Sequence, residues 1–325
     1  MTKAVAFGTV VVAVCAALSV GGGRLVRAVE ARQAGAQDRV VNIQYIPGMS
    51  NAEKLADPFS ATYSTLYLLR GGGGHSLTFE SDDGVILIST MAPGWGGPIL
   101  DVLGLITEDP VTTLINTHPD SDYSGGNAEF PSATRIIAHA NAKTAMARMP
   151  AFQGDNAQFL PNTVFDDAMS LLEGRNRVDL HYFGAGHTDG DTVVIIPTYG
   201  TAYLGDLFPS KALPVIDTAN GGSAFALPDT LQRALEAIES AGVDYVVAGK
   251  APTFRGRQVQ LMSIRDLQEY IDFNRAFLAA VKSAADAGKS AEDAAATLEM
   301  PDQFSAYDME RVQDAVAIVY SELQP

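Results

Sequence analysis

The stretch Asn116-Thr117-His118-Pro119-Asp120-Ser121-Asp122-Tyr123-Ser124-Gly125-Gly126-Asn127 follows a short apolar run, residues 111–115, that reads as a buried strand. It places an imidazole, two carboxylates and a phenol between His118 and Tyr123, then releases the chain through two glycines. Loops at strand ends are where a rigid scaffold presents chemistry. The reading of the whole chain depends on what this loop faces.

Working outward, the middle of the chain alternates strand-like and helical segments. Residues 85–88 are a continuous apolar run after the turn signal Asp82-Asp83-Gly84, and 135–138 read the same way. Residues 99–106 and 140–149 read as helices, the second closed by Pro150. Residues 178–183 alternate, with Val178, Leu180 and Tyr182 on one side. Strands 193–196 and 201–204 are joined by Pro197-Thr198-Tyr199-Gly200, which suits a hairpin turn. Residues 228–241 form an amphipathic helix and 243–248 a last strand. From Ser263 the pattern is helical. Leu267, Tyr270, Ile271, Asn274, Phe277, Leu278 and Val281 form one stripe, and Val312, Val316, Ile318 and Val319 belong to a second helix. Strands alternating with helices imply sheets covered by helices.

Four strand ends deliver ionisable groups beside glycines. These are His118, Asp120 and Asp122 after 111–115, and Gly184-Ala185-Gly186-His187-Thr188-Asp189-Gly190-Asp191 after 178–183. Gly205-Asp206 follows 201–204, and Gly249-Lys250 follows 243–248. Glycine permits tight turns and close approach at such places.

This order of motifs resembles the metallo-β-lactamase superfamily over residues 67–253. Gly205-Asp206-Leu207-Phe208, Ala212-Leu213-Pro214 and Asn220-Gly221-Gly222 bring it closest to exported hydrolase-like members with a helical C-terminal extension. The resemblance implies a four-layer αββα sandwich, with two mixed sheets packed face to face and helices outside. On that basis residues 37–262 form the superfamily domain, and 263–325 form a helical C-terminal extension packed on it.

The resemblance also implies two adjacent metal positions. His118, Asp120 and His187 fall on the first, Asp122, Tyr123 and Lys250 on the second, and Asp206 between them. Against the H-x-H-x-D-H pattern, Asp120 replaces the second His and Tyr123 the last. Ser89-Thr90 stands where relatives usually have Asp-Thr, so a residue that orients metal ligands is missing. Two imidazoles with carboxylates suit zinc and also iron(II). A charged Lys has no lone pair to give, and Tyr123 would have to ionise from near pH 10 to be a good ligand, so it reads as a packed residue with its hydroxyl bonded sooner than as a ligand.

The expectation is therefore one divalent metal, zinc or alternatively iron, on His118, Asp120, His187 and Asp206. Lys250 is then either a resident cation facing Asp122 and Asp206 in place of the second metal, or a solvated loop lysine. The expected reaction is hydrolysis of a small ester, lactone or amide by a metal-activated water, with Asp122, Lys250 and Tyr123 in catalytic roles. Two rivals stand beside it: a metal-free, non-catalytic descendant that keeps the pocket for binding, and a mononuclear iron oxygenase-type protein.

Other conspicuous residues have plainer readings. His139 reads as a helix cap, His181 as a structural strand residue, and Asp189 and Asp191 as shapers of the turn after His187. His75, after Gly71–Gly74, reads as a flexible edge of the site at most. That glycine run lacks the spacing and Lys of a phosphate loop, which excludes nucleotide binding. Trp95 is either a lining of the substrate mouth or a half-buried surface residue.

At the N-terminus, Lys3 precedes an apolar, uncharged run over 4–20, the pattern of an export signal. Residues 1–36 are read as a signal peptide, with Ala34-Gly35-Ala36 as cleavage site, or as an uncleaved anchor, which Arg24, Arg27 and Arg32 favour. The protein is then exported, either periplasmic or membrane-anchored and facing the periplasm. The single cysteine, Cys15, lies in this segment, so the remainder has neither a disulfide framework nor a thiolate ligand.

The 325 residues are 47% apolar, enough for a large core, and the formal charge is −16. That acidity excludes nucleic acid as a partner, because such partners select for clustered Lys and Arg. On small-molecule chemistry the charge is silent; a small-molecule substrate is expected from the resemblance, and membrane contact only through an anchor.

Overall fold

The computed structural model describes residues 66–130, 134–250 and 262–324, together with the backbone of short strands at 13–14, 29–30, 42–46, 253–254 and 257–258. Apart from the strands at 13–14 and 29–30, the residues of the signal or anchor reading, 1–36, and its cleavage triplet lie outside the described residues.

The first sheet has seven strands in chain order: β1 (Asn42–Ile46), β2 (Leu66–Gly71), β3 (Gly74–Ser81), β4 (Gly84–Ile88), β5 (Val111–Ile115), β6 (Arg135–His139) and β7 (Thr163–Phe165). Strands β1 to β4 pair antiparallel and β4 to β7 pair parallel, with Ile88 opposite Ile115 and Ile115 opposite Ile137. The second sheet has six strands: β8 (Ala168–Leu171), β9 (Val178–His181), β10 (Val193–Ile196), β11 (Thr201–Tyr203), β12 (Tyr245–Val247) and β13 (Met262–Ser263). Both sheets are mixed.

Side-chain alternation assigns each face. Ile86 and Ile88 of β4 join Val194, Ile196, Tyr203 and Val247 in one apolar layer between the sheets. Val85 and Leu87 point the other way, onto α1 (Gly96–Leu103) through Ile99, Val102 and Leu103. A single turn, α2 (Ser121–Ser124), and α3 (Ala140–Met146) follow β5 and β6. On the far side, Val193, Ile195, Ala202 and Val246 meet Leu231, Ala234, Leu235 and Ile238 of α4 (Leu227–Ser240). The result is the expected four-layer αββα sandwich. The predicted helix at 99–106 is displaced to Gly96–Leu103, and the one at 140–149 ends at Met146.

The C-terminal helices α5 (Ile264–Asp286), α6 (Ala291–Ala296) and α7 (Val312–Leu323) share the apolar layer of α4 through Leu267, Tyr270, Phe273, Phe277, Val316 and Val319. Helix α5 begins with a capping box in which Asp266 accepts from the Ser263 backbone and hydroxyl at 2.8 and 2.7 Å. Among the described residues no helix is long and apolar enough to cross a membrane.

Gly71–Gly74 is the tip of the β2–β3 hairpin and borders the site, since a Cβ at Gly73 or Gly74 would meet Asp122. Gly72 and Gly73 have φ of 56° and 92°, which glycine adopts without strain. His75 accordingly sits in β3, buried, and its Nδ1 donates to the Ala248 carbonyl at 3.2 Å.

Candidate metal centre

Strands β9, β11 and β12 run in one direction, so the loops after them open at one rim of the sandwich. The loops after β4 and β5 meet that rim from the other sheet. Backbone bonds stitch them together: Thr90 N to Tyr123 O at 2.7 Å, Thr192 N to Thr117 O at 2.7 Å, and Gly249 N to Gly205 O at 3.0 Å. A side chain at Gly249 would collide with the Gly205 backbone and the Tyr123 hydroxyl, so glycine there lets the loops close.

In this setting one donor atom each from His118, Asp120, His187 and Asp206 lies within 4.8 Å of the others. His118, His187 and Asp206 are buried, and Asp120 is partly exposed. His118 Nε2 is buried without a hydrogen-bond partner, and its Nδ1 is 3.0 Å from Thr117 Oγ1. A buried imidazole nitrogen with no partner is costly unless something else occupies its lone pair. His187 Nδ1 donates to the Val215 carbonyl at 2.8 Å, which turns Nε2 toward Asp120 Oδ2 at 3.2 Å. Two imidazoles held at their rear nitrogens and two converging carboxylates fit a divalent metal of the zinc or iron(II) class.

The electrostatics suit a cation. Burial acts to lower the His187 pKa, but the Asp120 hydrogen bond and the charges of Asp191, Asp120 and Asp206 overcome it and raise it to about 10. For Asp120 burial works upward, yet its bond to His187 and the neighbouring cations bring it down to about 2. Asp206 is likewise held below the ordinary carboxylate value against its burial by His118, His187, Lys250 and Tyr123. Without a metal, then, a proton on His187 does part of the neutralising.

Lys250 supplies more. Its Nζ is 3.0 Å from Asp206 Oδ2 and 3.2 Å from Asp122 Oδ2, so it is a bridging cation and not a solvated loop lysine. Tyr123 is packed with its hydroxyl bonded, the plainer of its two readings, and is not placed to act directly in catalysis. Its ring is fully buried and its hydroxyl donates to Asp206 Oδ1, while burial and nearby Tyr203 and Asp206 push its pKa well up. It stays a phenol, cannot act as an anionic ligand, and has no face for substrate. It positions Asp206.

The missing Asp at Ser89 is answered by hydroxyls. Ser89 Oγ lies 3.3 Å from Thr117 Oγ1, which in turn contacts His118 Nδ1. Ser89 is a non-glycine residue at φ 64°, a strained conformation next to the site. Asp191 shapes its turn as expected, accepting from Thr188 N and Oγ1 at 2.8 and 2.7 Å. His139 caps α3 (Ala140–Met146) by accepting from Asn141 N at 3.3 Å. Trp95 is half-buried and packs on Gly71 and Gly72.

A buried amide pair escaped the sequence reading. Asn116 and Asn127 exchange side-chain bonds at 3.0 and 2.8 Å, and Thr90 Oγ1 donates to Asn127 at 2.9 Å. The pair closes both ends of the His118 loop. The only hint in the sequence is that an Asn stands at each end of the loop.

Over 144 residues the chain is 27% identical to the 2,4-dinitroanisole O-demethylase subunit alpha of Nocardioides sp. (strain JS1661), covering 43% of each chain. The chain thus spans less than half the length of that relative. Among solved structures, the inverting sec-alkylsulfatase Pisa1 from Pseudomonas sp. matches with a TM-score of 0.66 at 13% identity, over 80% of this chain and 49% of that one. A metallo-beta-lactamase from Pontibacter korlensis matches at 0.52 and 17% identity, over 66% of this chain and 96% of that one. At such identities the structural likeness speaks for the fold alone. The family model of the metallo-beta-lactamase superfamily matches residues 69–250, the span that carries all the loops of the site, and the chain belongs to that superfamily.

Proposed function

We propose that the protein is an exported, single-metal hydrolase of a small ester, lactone or amide. The observation that carries this reading is the uneven site: four donors converge on one position, while Lys250 Nζ fills the space between Asp122 and Asp206. A divalent metal held by His118, Asp120, His187 and Asp206 would acidify water and polarise a carbonyl. The apolar N-terminal run after Lys3 supports export.

The chain's own groups supply the rest. Asp122, partly open to solvent, takes the proton of the attacking water as its oxygen bonds to the carbonyl carbon. The Lys250 ammonium, 44% exposed, is close enough to the rim to stabilise the resulting oxyanion. Collapse breaks the bond to the leaving alcohol or amine, which takes up the proton from Asp122. Tyr123 keeps one Asp206 oxygen occupied and so fixes the direction of the other.

The test is metal analysis of the purified protein, with hydrolysis measured on a panel of esters, lactones and amides. His118→Ala and His187→Ala are expected to lose bound metal and hydrolysis while keeping the wild-type circular dichroism spectrum. Undiminished hydrolysis in both variants overturns the proposal. Metal at background in the wild type favours the non-catalytic pocket. Iron with oxygen consumption favours the oxygenase reading.

A further inference from the structure

Two contacts reach from the C-terminal helices back to the loops that hold His187. Residues 211–217 contain Val215, whose carbonyl accepts from His187 Nδ1 at 2.8 Å, and Asp217, whose backbone N–H donates to His187 O at 2.8 Å. This segment is laced to the chain before α7. Ala212 forms a β-bridge with Asp308, Leu213 N donates to Asp308 O at 3.2 Å, and Asp308 N donates to Lys211 O at 3.0 Å. Arg311 Nη2 donates to the Pro214 carbonyl at 3.2 Å, one residue before Val215.

The second contact comes from the end of α7. The Glu322 carboxylate accepts from Ser223 Oγ at 2.6 Å and from Ala224 N at 2.7 Å. Ser223 N donates to Gly186 O at 2.9 Å, next to His187. Gly222 lies so close that a Cβ there would stand 2.1 Å from His187 O. A carboxylate that fixes a hydroxyl and an N–H together leaves the loop few alternatives.

We infer that the C-terminal helical segment is part of the site's construction: Arg311 and Glu322 are positioning residues that set the orientation of the His187 imidazole. The inference rests on the one-metal reading only in so far as His187 is taken as a ligand. The hydrogen bond from His187 Nδ1 to the Val215 carbonyl holds the ring whether or not a metal is bound. The outer hydrogen bonds of a ligating imidazole fix its tautomer and ring direction, and losing them costs roughly 10- to 100-fold in metal affinity.

The test uses the full-length protein with Glu322→Gln, Glu322→Ala and Arg311→Met. Tyr320→Phe is the control, because it removes a bond of the same helix, to Lys289 O at 2.9 Å, whose partner belongs to neither of the segments that hold His187. Two quantities are read: the His187 Nδ1–H signal in proton–nitrogen NMR, with its exchange rate, and zinc affinity by competition with a chromophoric chelator. The expected result is a shifted, faster-exchanging signal and about 10-fold weaker zinc binding in the Glu322 and Arg311 variants, with Tyr320→Phe unchanged. Gln keeps one acceptor oxygen, so Glu322→Gln is expected to lie between wild type and Glu322→Ala. If Glu322→Ala does not fold, Glu322→Gln and Arg311→Met decide. An unmoved signal and unchanged zinc affinity in folded variants overturn the inference. A shifted signal in a protein that takes up no zinc supports the positioning role and sinks the one-metal reading instead.

Discussion

Lys250 Nζ donates to Asp206 Oδ2 at 3.0 Å, so a cation of the chain itself neutralises a carboxylate that is almost completely buried. Breaking such a pair by deleting one partner is far worse than never having had it, because the remaining charge stays out of water. Burial acts to lower the Lys250 pKa, but Asp206 and Asp122 outweigh it and raise it, so the side chain stays charged at neutral pH.

Lys250→Met therefore leaves Asp122 and Asp206 without the cation that bridges them. In excess zinc this variant is expected to bind an additional equivalent beyond the wild type by equilibrium dialysis. Its kcat is expected to fall by roughly 10²-fold, as when one oxyanion donor is removed. Wild-type stoichiometry together with wild-type kcat would show that the ammonium neither excludes a cation nor serves the reaction.

Tyr123→Phe removes the hydroxyl that donates to Asp206 Oδ1 and keeps the ring in its buried slot. An acceptor left unpaired in the interior costs about 1–3 kcal/mol. Urea denaturation of the metal-free protein is expected to show a loss of that order. Since Tyr123 has no exposure to substrate, KM is expected to stay near the wild-type value. A large rise in KM with unchanged stability would return Tyr123 to direct contact with substrate.

Much of this arrangement was legible in the sequence, and what was not has physical reasons. Strands β4, β5, β6, β9, β10, β11 and β12 are legible as apolar or alternating runs, and the ends of β5, β9, β11 and β12 carry the ionisable groups of the site. The β2–β3 hairpin was hidden because Gly71–Gly74 interrupts its alternation, although the paired glycine φ angles are what make the tight turn possible. Strands β7 and β8 are short edge segments with exposed residues, defined by pairing more than by composition. The Glu322 clamp joins residues about a hundred positions apart, which no local pattern encodes, and the Asn116–Asn127 pair, though it brackets one loop, depends on how that loop closes. The choice between a bridging and a solvated Lys250 depends on where two carboxylates point, which only the packed loops decide.

Acid sensitivity follows from His75. Burial, foremost, brings its pKa down from 6.5 to about 4, with Arg70 and Lys250 pushing the same way and the Ala248 bond and Asp206 opposing. A depressed histidine pKa means that the fold favours the neutral ring. Its contribution is complete above pH 6.5 and is lost as pH falls toward 4. Over the whole span that is about 3 kcal/mol at most. His75→Gln, which can still donate to Ala248, is expected to flatten the stability profile between those pH values in urea titrations. His118, also depressed to about 4 by burial and His187, keeps part of the slope. A slope identical to wild type would remove His75 as its source.

Ser89 sets strain against function. A left-handed non-glycine residue costs about 1–2 kcal/mol, and Ser89 at φ 64° bears that cost while its hydroxyl reaches Thr117 and, through it, His118 Nδ1. Ser89→Gly removes the strain and the hydroxyl together. Ser89→Ala removes the hydroxyl and keeps the strain. In urea denaturation the Gly variant is expected to be more stable than the Ala variant by about 1 kcal/mol. Both are expected to bind zinc roughly 10-fold more weakly than wild type, since the relay behind His118 is cut in each. Equal stability of the two variants would show the backbone to be relaxed. Undiminished zinc affinity would show that Thr117 alone orients the imidazole, in which case Ser89 serves only the turn between β4 and the loop that follows it.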